Sequence, residues 1–188
     1  RTDSLCSCNI TAHDVRVALE NAEYPPAAVD VTSPDYLGNR LDIKGIADVC
    51  HKFGTLLIVD NAHGAYLKFL SKPLHPLECG ADMCCDSAHK TLPVLTGGAY
   101  LHISRNAPEY FSESAKDAMA LFGSTSPSYL TLASLDRCNA YLSDDFPEKL
   151  KAKAEKVKNI KRLLCENGWS VIGTEPMKLT LLCPKECD

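Results

Sequence analysis

The sequence lacks long apolar runs, blocks of positive charge, internal repeats and low-complexity segments. Its longest apolar runs have about six residues, whereas a membrane-spanning helix needs roughly 20, so we expect no membrane segment. The net charge is −4, from 20 basic and 24 acidic residues, and no segment is basic enough to predict nucleic acid as the main partner. The first residues also show no targeting pattern. A membrane protein and a nucleic-acid-binding protein are therefore poor interpretations of this chain.

Ten cysteines are present, an even number that requires an explanation. Cys50 falls in a helical pattern and the pair Cys84-Cys85 in a strand-like run, where cysteine behaves as a small hydrophobic residue. Two pairs, Cys6 with Cys8 and Cys183 with Cys187, could bind a metal or form a disulfide, but their spacings do not match a zinc finger. We predict free thiols, and hence the reducing cytoplasm as the compartment.

The middle of the chain has the pattern of a strand, a helix and a second strand. Residues Ala27–Thr32 are apolar and β-branched, Leu41–Phe53 has one apolar face at helical spacing, and Thr55–Asp60 is again strand-like. This order within about thirty residues predicts a βαβ unit, whose strands are parallel. The run Leu56–Val59 does not alternate, which favours burial on both faces. We therefore predict an α/β fold with a mostly parallel sheet flanked by helices.

Further elements are predicted on both sides of this unit. Thr11 is predicted to cap a helix at which Ile10 packs on Val15 as a hydrophobic staple. Ser126-Pro127 predicts another helix start, with the serine as the cap and the proline at the first helical position. We assign 1–143 to one domain and 144–188 to a long helix and the start of a smaller α+β domain. Both ends look cut, so we expect a fragment of a longer protein. The remaining predicted elements are the strands Met83–Cys85, Gly97–Ile103, Trp169–Ile172 and Leu179–Cys183 and the helices Glu109–Phe122 and Pro147–Asn167.

Ionisable side chains follow two of the predicted strands. Asp60 and His63 come after the second strand, and Ser87, His89 and Lys90 come after Met83–Cys85. Ligands bind at the carboxyl ends of parallel strands, so these residues predict a site. Lys90 is a candidate for a lysine that forms an imine with an aldehyde, because a buried turn beside His89 favours a neutral amine. On local sequence alone, an ordinary surface lysine is an equal alternative.

Asp60 is a candidate partner for the protonated ring nitrogen of a pyridoxal cofactor, since a buried carboxylate keeps that nitrogen charged. The alternative is an aspartate that caps the next turn. No second set of ligands lies near His63 or His89 at metal-binding spacing, so we predict no metal. The hydroxyls of Thr125 and Ser126 at a helix start form an anion site or a simple cap.

Three of these segments occur in a familiar order. Val59-Asp60-Asn61-Ala62-His63-Gly64, then Asp86-Ser87-Ala88-His89-Lys90-Thr91-Leu92-Pro93, then Thr125-Ser126-Pro127-Ser128-Tyr129 resemble the major domain of the bacterial ornithine/lysine/arginine decarboxylases. Those are fold type I pyridoxal-phosphate enzymes, related in fold to aspartate aminotransferase. Ser33-Pro34-Asp35-Tyr36-Leu37-Gly38 resembles a segment of the same family. The similarity covers roughly Ile10 to Leu142, and the ordered set is far more specific than any one motif.

The resemblance implies a role for each residue. Lys90 forms the imine with pyridoxal 5'-phosphate, Asp60 pairs with the ring nitrogen, Ala62 packs on one ring face, and Ser87 and His89 lie near the phosphate. We count His63 among the cofactor contacts and His89 among the catalytic residues. The site lies at the interface of a homodimer or higher oligomer, so Thr125 and Ser126 serve the neighbour's phosphate. The reaction is loss of the α-carboxylate from a basic amino acid.

The sequence departs from the family in two ways. Asn61 replaces a common glutamate, which changes a local ion pair. The family's upstream half, with the aromatic that stacks on the ring and the glycine/serine phosphate turn, is absent, so Lys90 and Asp60 would form half of a site. Two alternatives stay open: an aminotransferase or other lyase of the same fold, and a truncated non-catalytic domain.

Overall fold

The computed structural model describes residues 9–72 and 74–182. Its centre is a four-stranded sheet in the order β1-β2-β3-β4. The first three strands are parallel, and the fourth runs antiparallel to β3. The predicted mostly parallel sheet is therefore confirmed. The strands are β1 (Ala28–Thr32), β2 (Leu56–Asp60), β3 (Met83–Asp86) and β4 (Tyr100–Ile103).

Helices follow the strands, and a small hairpin closes the described chain. Short 3₁₀ turns at Ala65–Phe69 and Pro76–Cys79 lie between β2 and β3. The hairpin strands β5 (Ser170–Ile172) and β6 (Thr180–Leu182) pair antiparallel. None of the described helices has the length and apolarity needed to cross a bilayer. The helices are α1 (Ala12–Glu20), α2 (Ile43–Lys52), α3 (Ala88–Thr91), α4 (Glu109–Phe122), α5 (Tyr129–Leu142) and α6 (Phe146–Glu166).

The βαβ unit forms as its sequence predicts. Asp42 caps α2 by accepting a hydrogen bond from the Gly45 amide at 3.1 Å, and the helix buries the apolar stripe that contains Ile46 and Cys50. Gly54, at φ 67°, takes the left-handed conformation that returns the chain to the sheet. At α1, Thr11 and Asp14 form the expected capping box.

The sheet is fully covered on one face only. Leu57, Val59 and Cys84 are completely buried against α1 and α2, whereas Leu56 and Ile58 on the other face are half-buried. The prediction of burial on both faces therefore holds for one face. The reason is that α1 and α2 pack on the face of the sheet that carries Leu57. The continuous apolar run in β2 therefore did not predict correctly how far the other face is buried.

One helix start is predicted wrongly. The helix after residue 126 begins at Tyr129, and Ser128, not Ser126, accepts the capping hydrogen bond, from the Thr131 amide at 3.4 Å. Ser126 and Pro127 precede the cap in an exposed stretch. A serine two residues further along competes for the same role, and the sequence pattern did not discriminate between them.

The hairpin end of the chain is tied to the loop after β1. The Thr174 and Glu175 amides both donate to the Gly38 carbonyl at 2.8 Å, and Nζ of Lys178 donates to the Tyr36 carbonyl at 2.9 Å. Gly38 has φ 88°, and a Cβ there would press on the side chains of Lys178 and Glu175. This close approach sets one wall of the cleft described below.

Six cysteines are free thiols within the described part of the chain. They include Cys50, Cys84 and Cys85, as the sequence patterns predict. The pairs Cys6 with Cys8 and Cys183 with Cys187 lie outside the described residues.

Candidate active site

The two strands that carry the predicted site residues are neighbours and end at the same edge of the sheet. Asp60 of β2 is aligned with Cys85 of β3, and the Asn61 amide donates to the Cys85 carbonyl at 3.0 Å. The chain leaving β3 runs directly into α3, which carries Lys90. The two strand ends therefore adjoin, as a parallel pair requires.

Asp60 is half-buried on the less covered face of the sheet. Its Oδ1 accepts a hydrogen bond from the Ala62 amide at 3.0 Å, and the Cys85 thiol lies 3.9 Å from the same oxygen. Its Oδ2 makes no hydrogen bond to any described residue, so this oxygen is available to a further donor.

Lys90 is exposed and lines a cleft of about 640 Å³ together with His63. Its backbone amide donates to the Ser87 carbonyl at 3.0 Å within the short helix α3. The expectation that this turn would bury the amine is therefore wrong for the described chain, because α3 is four residues long and its outer side faces the cleft. Asp60 does not line the cleft.

The pKa of His63 is shifted by its burial and by four charged neighbours. Burial lowers the pKa of His63, and the positive charges of Lys178 and Lys90 lower it further, while Asp60 and Asp35 oppose them. Both predicted cofactor residues therefore lie within electrostatic range of one imidazole. The Tyr36 ring meets His63 edge-on, with ring centroids 5.9 Å apart.

The cleft also contains polar groups that the sequence did not reveal. The hydroxyls of Tyr66 and Thr91 are buried without a hydrogen-bond partner among the described residues. Burial raises the pKa of Glu175, which is only 3% exposed. Lys178 lies on the same wall. These residues come from distant segments, so no local pattern could have united them.

Ser87, His89, Thr125 and Ser126 lie outside the lining of this cleft. Ser87 begins α3 without a side-chain capping bond, and His89 is half-buried with Nδ1 3.0 Å from the Gly98 carbonyl oxygen. Thr125 and Ser126 are exposed in the α4–α5 connection. The described chain brings Lys90 and His63 into one cleft, and it leaves the roles of Asp60 and of these four residues as predictions.

Asp86, which ends β3, is the centre of a buried network that sequence reasoning missed. Its Oδ1 accepts from Nδ2 of Asn61 at 2.6 Å, and its Oδ2 lies 3.1 Å from Nε2 of both His75 and His102. Burial raises the pKa of Asp86, but the hydrogen bonds from His102 and His75 outweigh burial and hold it at about 2. Asn61 at the family's glutamate position thus donates to a carboxylate.

Comparison with known proteins identifies the family. The sequence profile described as Orn/Lys/Arg decarboxylase, major domain, matches residues 9–182. The chain belongs to this family. It is 34% identical over 179 residues to the "Uncharacterized protein YaaO" of Bacillus subtilis (strain 168), covering 89% of this chain and 36% of that protein. It is 33% identical over 132 residues to an arginine decarboxylase of the same organism, covering 69% of this chain and 26% of the relative. The chain thus spans about a third of the first relative's length and about a quarter of the second's.

Solved structures give the same fold. Pyridoxamine-pyruvate aminotransferase from Mesorhizobium loti aligns with a TM-score of 0.68 at 20% identity, over 96% of this chain and 50% of that one. Alanine–glyoxylate aminotransferase from Nostoc sp. aligns with a TM-score of 0.68 at 17% identity, over 95% and 52%. The predicted fold, that of fold type I pyridoxal-phosphate enzymes, is confirmed.

The residues present fit such a cofactor. Oδ2 of Asp60 can receive a protonated ring nitrogen, and Tyr66 and Thr91, which line the cleft together with Lys90, have buried hydroxyls without a partner among the described residues. Buried hydroxyls without partners are costly in a folded protein and therefore require an explanation.

Proposed function

We propose that this chain carries the cofactor lysine, Lys90, and the ring-nitrogen aspartate, Asp60, of a pyridoxal-phosphate-dependent decarboxylase. The substrate class is a basic amino acid: ornithine, lysine or arginine. The observation that carries this proposal is that Asp60 ends β2 beside the end of β3, and that the helix after β3 carries Lys90 into a cleft that His63 also lines. Membership of the Orn/Lys/Arg decarboxylase family supports the reaction type.

When bound, the cofactor supplies an electron sink for the bond that breaks at Cα. Asp60 has the role of holding a proton on the ring nitrogen through Oδ2. Ala62, which follows on the same turn, is small enough for a flat ring to pack on it. Lys90 presents its amine from the end of α3, and the exposed position allows it to be exchanged for the substrate amine.

His63 is suited to work as a neutral imidazole. Its pKa is lowered by burial and by the charges of Lys178 and Lys90, so at neutral pH a ring nitrogen can accept a proton. Ser87 and His89 are proposed to face the phosphate, from either side of Ala88 in α3.

A second copy of the chain is the partner that the α4–α5 region would contact. Helix α4 has no buried residue, and Phe122 and Tyr129, which flank Thr125 and Ser126, are 85% and 87% exposed. Large apolar side chains at such exposure are typical of interfaces. In the homodimer, Thr125 and Ser126 would serve the neighbour's phosphate. We place the dimer in the reducing cytoplasm, in keeping with the free thiols.

Cofactor titration of the intact protein tests the assignment of Lys90. Adding pyridoxal 5'-phosphate is expected to produce a new absorbance band at the visible edge, which Lys90→Ala abolishes. Lys52→Ala, at the exposed end of α2, is the matched control and keeps the band. A band that survives in Lys90→Ala contradicts the assignment.

Product analysis separates the reaction classes. Incubation with arginine, lysine or ornithine is expected to release carbon dioxide and the corresponding amine. Formation of a keto acid without carbon dioxide would instead make the protein an aminotransferase. Cofactor binding without turnover of any of the three would exclude the proposed substrate class.

A further inference from the structure

Three side chains from separate segments, His75, Asp86 and His102, each place one nitrogen or oxygen atom close to the other two. Oδ2 of Asp86 lies 3.1 Å from Nε2 of His75 and 3.1 Å from Nε2 of His102. All three atoms lie within 4.8 Å of one another. Asp86 ends β3, His102 lies on β4, and His75 precedes the second 3₁₀ turn, so the cluster joins three parts of the fold.

The spacing of these atoms matches the ligand set of a metal ion. Imidazole nitrogen and carboxylate oxygen bind Zn²⁺ at roughly 2.0–2.2 Å, which separates neighbouring ligand atoms by about 3 Å. Two imidazoles and one carboxylate are a donor set that divalent transition metals use, with the remaining positions taken by water. The two Oδ2–Nε2 separations of 3.1 Å are close to this value, and they are also the lengths of the hydrogen bonds that the histidines make to Asp86.

The surroundings orient the ligands. Nδ2 of Asn61 holds Oδ1 of Asp86 at 2.6 Å, which fixes the carboxylate with Oδ2 toward the histidines. Metal ligands are commonly held by such an outer hydrogen bond. The His75 and His102 rings are perpendicular, with centroids 5.4 Å apart, so each Nε2 approaches from its own direction.

The cluster is accessible from one side. His75 and Asp86 are buried, but the His102 side chain is 36% exposed. All three line a cavity of about 440 Å³ that also contains Tyr100, Glu78 and Asn139. This cavity is separate from the cleft that holds Lys90 and His63. Metal and coordinated water can therefore reach the site without passing the cofactor site.

We propose that His75, Asp86 and His102 bind one divalent transition-metal ion, with Zn²⁺ as the natural test, and that water completes the coordination. The ion would connect β3 and β4 to the segment around residue 75. The end of β3 directly precedes α3, the helix that carries Lys90. The prediction of no metal from sequence considered His63 and His89, and it did not consider this cluster. The proposal does not depend on the cofactor assignment.

Cobalt(II) is the probe, because its visible spectrum reports the ligands. The intact protein is stripped with a chelator, kept reduced with a phosphine, and titrated with Co²⁺ without cofactor. We expect one equivalent to bind, with visible ligand-field bands and without the near-ultraviolet band of thiolate ligands. Addition of Zn²⁺ is expected to displace the cobalt and to raise the melting temperature until one equivalent is bound.

His102→Gln is the main variant, since its half-exposed position tolerates a polar replacement, and it is expected to lose the cobalt spectrum. His75→Gln is the second variant. His51→Gln is the matched control, because His51 pairs with Asp82 at 2.9 Å without a second histidine, and it retains the spectrum. Circular dichroism of each variant verifies folding. Absence of bound Co²⁺ in the wild type, retention of its bands in His102→Gln, or a thiolate band would each overturn the proposal.

Discussion

Asp86 and Glu175 are equally buried carboxylates, each 3% exposed, and their pKa values are shifted in opposite directions. At Asp86 burial is outweighed by hydrogen bonds from His102, His75 and Asn61, and the pKa falls to about 2. At Glu175 burial dominates and the pKa rises, because the opposing hydrogen bonds come from backbone amides near residue 177.

The difference separates a carboxylate whose hydrogen bonds outweigh its burial from one whose hydrogen bonds do not. Asp86 is surrounded by donors that match its charge, so it contributes to the stability of the sheet edge. Glu175 lines the cleft that contains Lys90, and the amides of Met177 and Lys178 that donate to it do not outweigh its burial. A buried charge without compensation reduces stability, and such residues are concentrated at functional sites.

The largest effect is expected from removing the centre of the Asp86 network. In the presence of a chelator, Asp86→Ala leaves the buried Asn61 and His75 and the partly exposed His102 without their acceptor, and it should lower the free energy of unfolding by about 3 kcal/mol. Asp60→Ala, the same change at the end of the neighbouring strand, loses one backbone hydrogen bond and should cost less than about 1 kcal/mol. Urea denaturation followed by circular dichroism measures both. Equal losses would remove the distinction between the two strand ends.

An isosteric change at Asn61 converts a donor to Asp86 into a second carboxylate. Asn61→Asp should lower the free energy of unfolding by about 2 kcal/mol at pH 7, since two like charges then share a buried site. The new carboxyl has a raised pKa, so it is protonated as the pH falls, donates a hydrogen bond to Asp86, and the loss becomes smaller at pH 5. The control is Asn106→Asp in an exposed loop. A loss that is the same at both pH values would contradict the pairing.

A smaller effect of opposite sign is expected at Glu175. Its pKa is raised on folding, so the protonated form is favoured in the folded state, and stability is lost as the pH rises through the raised pKa. Glu175→Gln removes this loss and should raise the free energy of unfolding by about 1 kcal/mol at pH 7, with no difference near pH 4. Stability curves between pH 4 and pH 7 measure this, with the exposed Glu20→Gln as control. A variant less stable than wild type at pH 7 would mean that Glu175 is compensated.

Local patterns were sufficient for the βαβ unit. The apolar stripe of Ile46 and Cys50 is a short-range feature, and it is buried on one face of α2 as predicted. The order of the segments containing Asp60 and Lys90 was sufficient to predict the family. Parallel strands bring their carboxyl ends to one edge of the sheet, which predicted where the site lies.

Contacts between distant segments could not be predicted from local sequence patterns. Asp86 joins His75 and His102, and Glu175 reaches the cleft from the hairpin because its backbone docks on Gly38. Each partner is an ordinary residue in its own segment. The exposure of Lys90 likewise depends on what packs above α3, which local sequence does not encode.

Borohydride reduction of the cofactor-loaded intact protein, followed by peptide mapping, tests the role of Lys90 most directly. Reduction fixes the bound cofactor on the lysine that holds it. The account predicts a single modified peptide, with the added mass on Lys90, and no modification of the other lysines that line the cleft, Lys149, Lys153 and Lys178. Modification of one of those lysines instead, or of none, would contradict it.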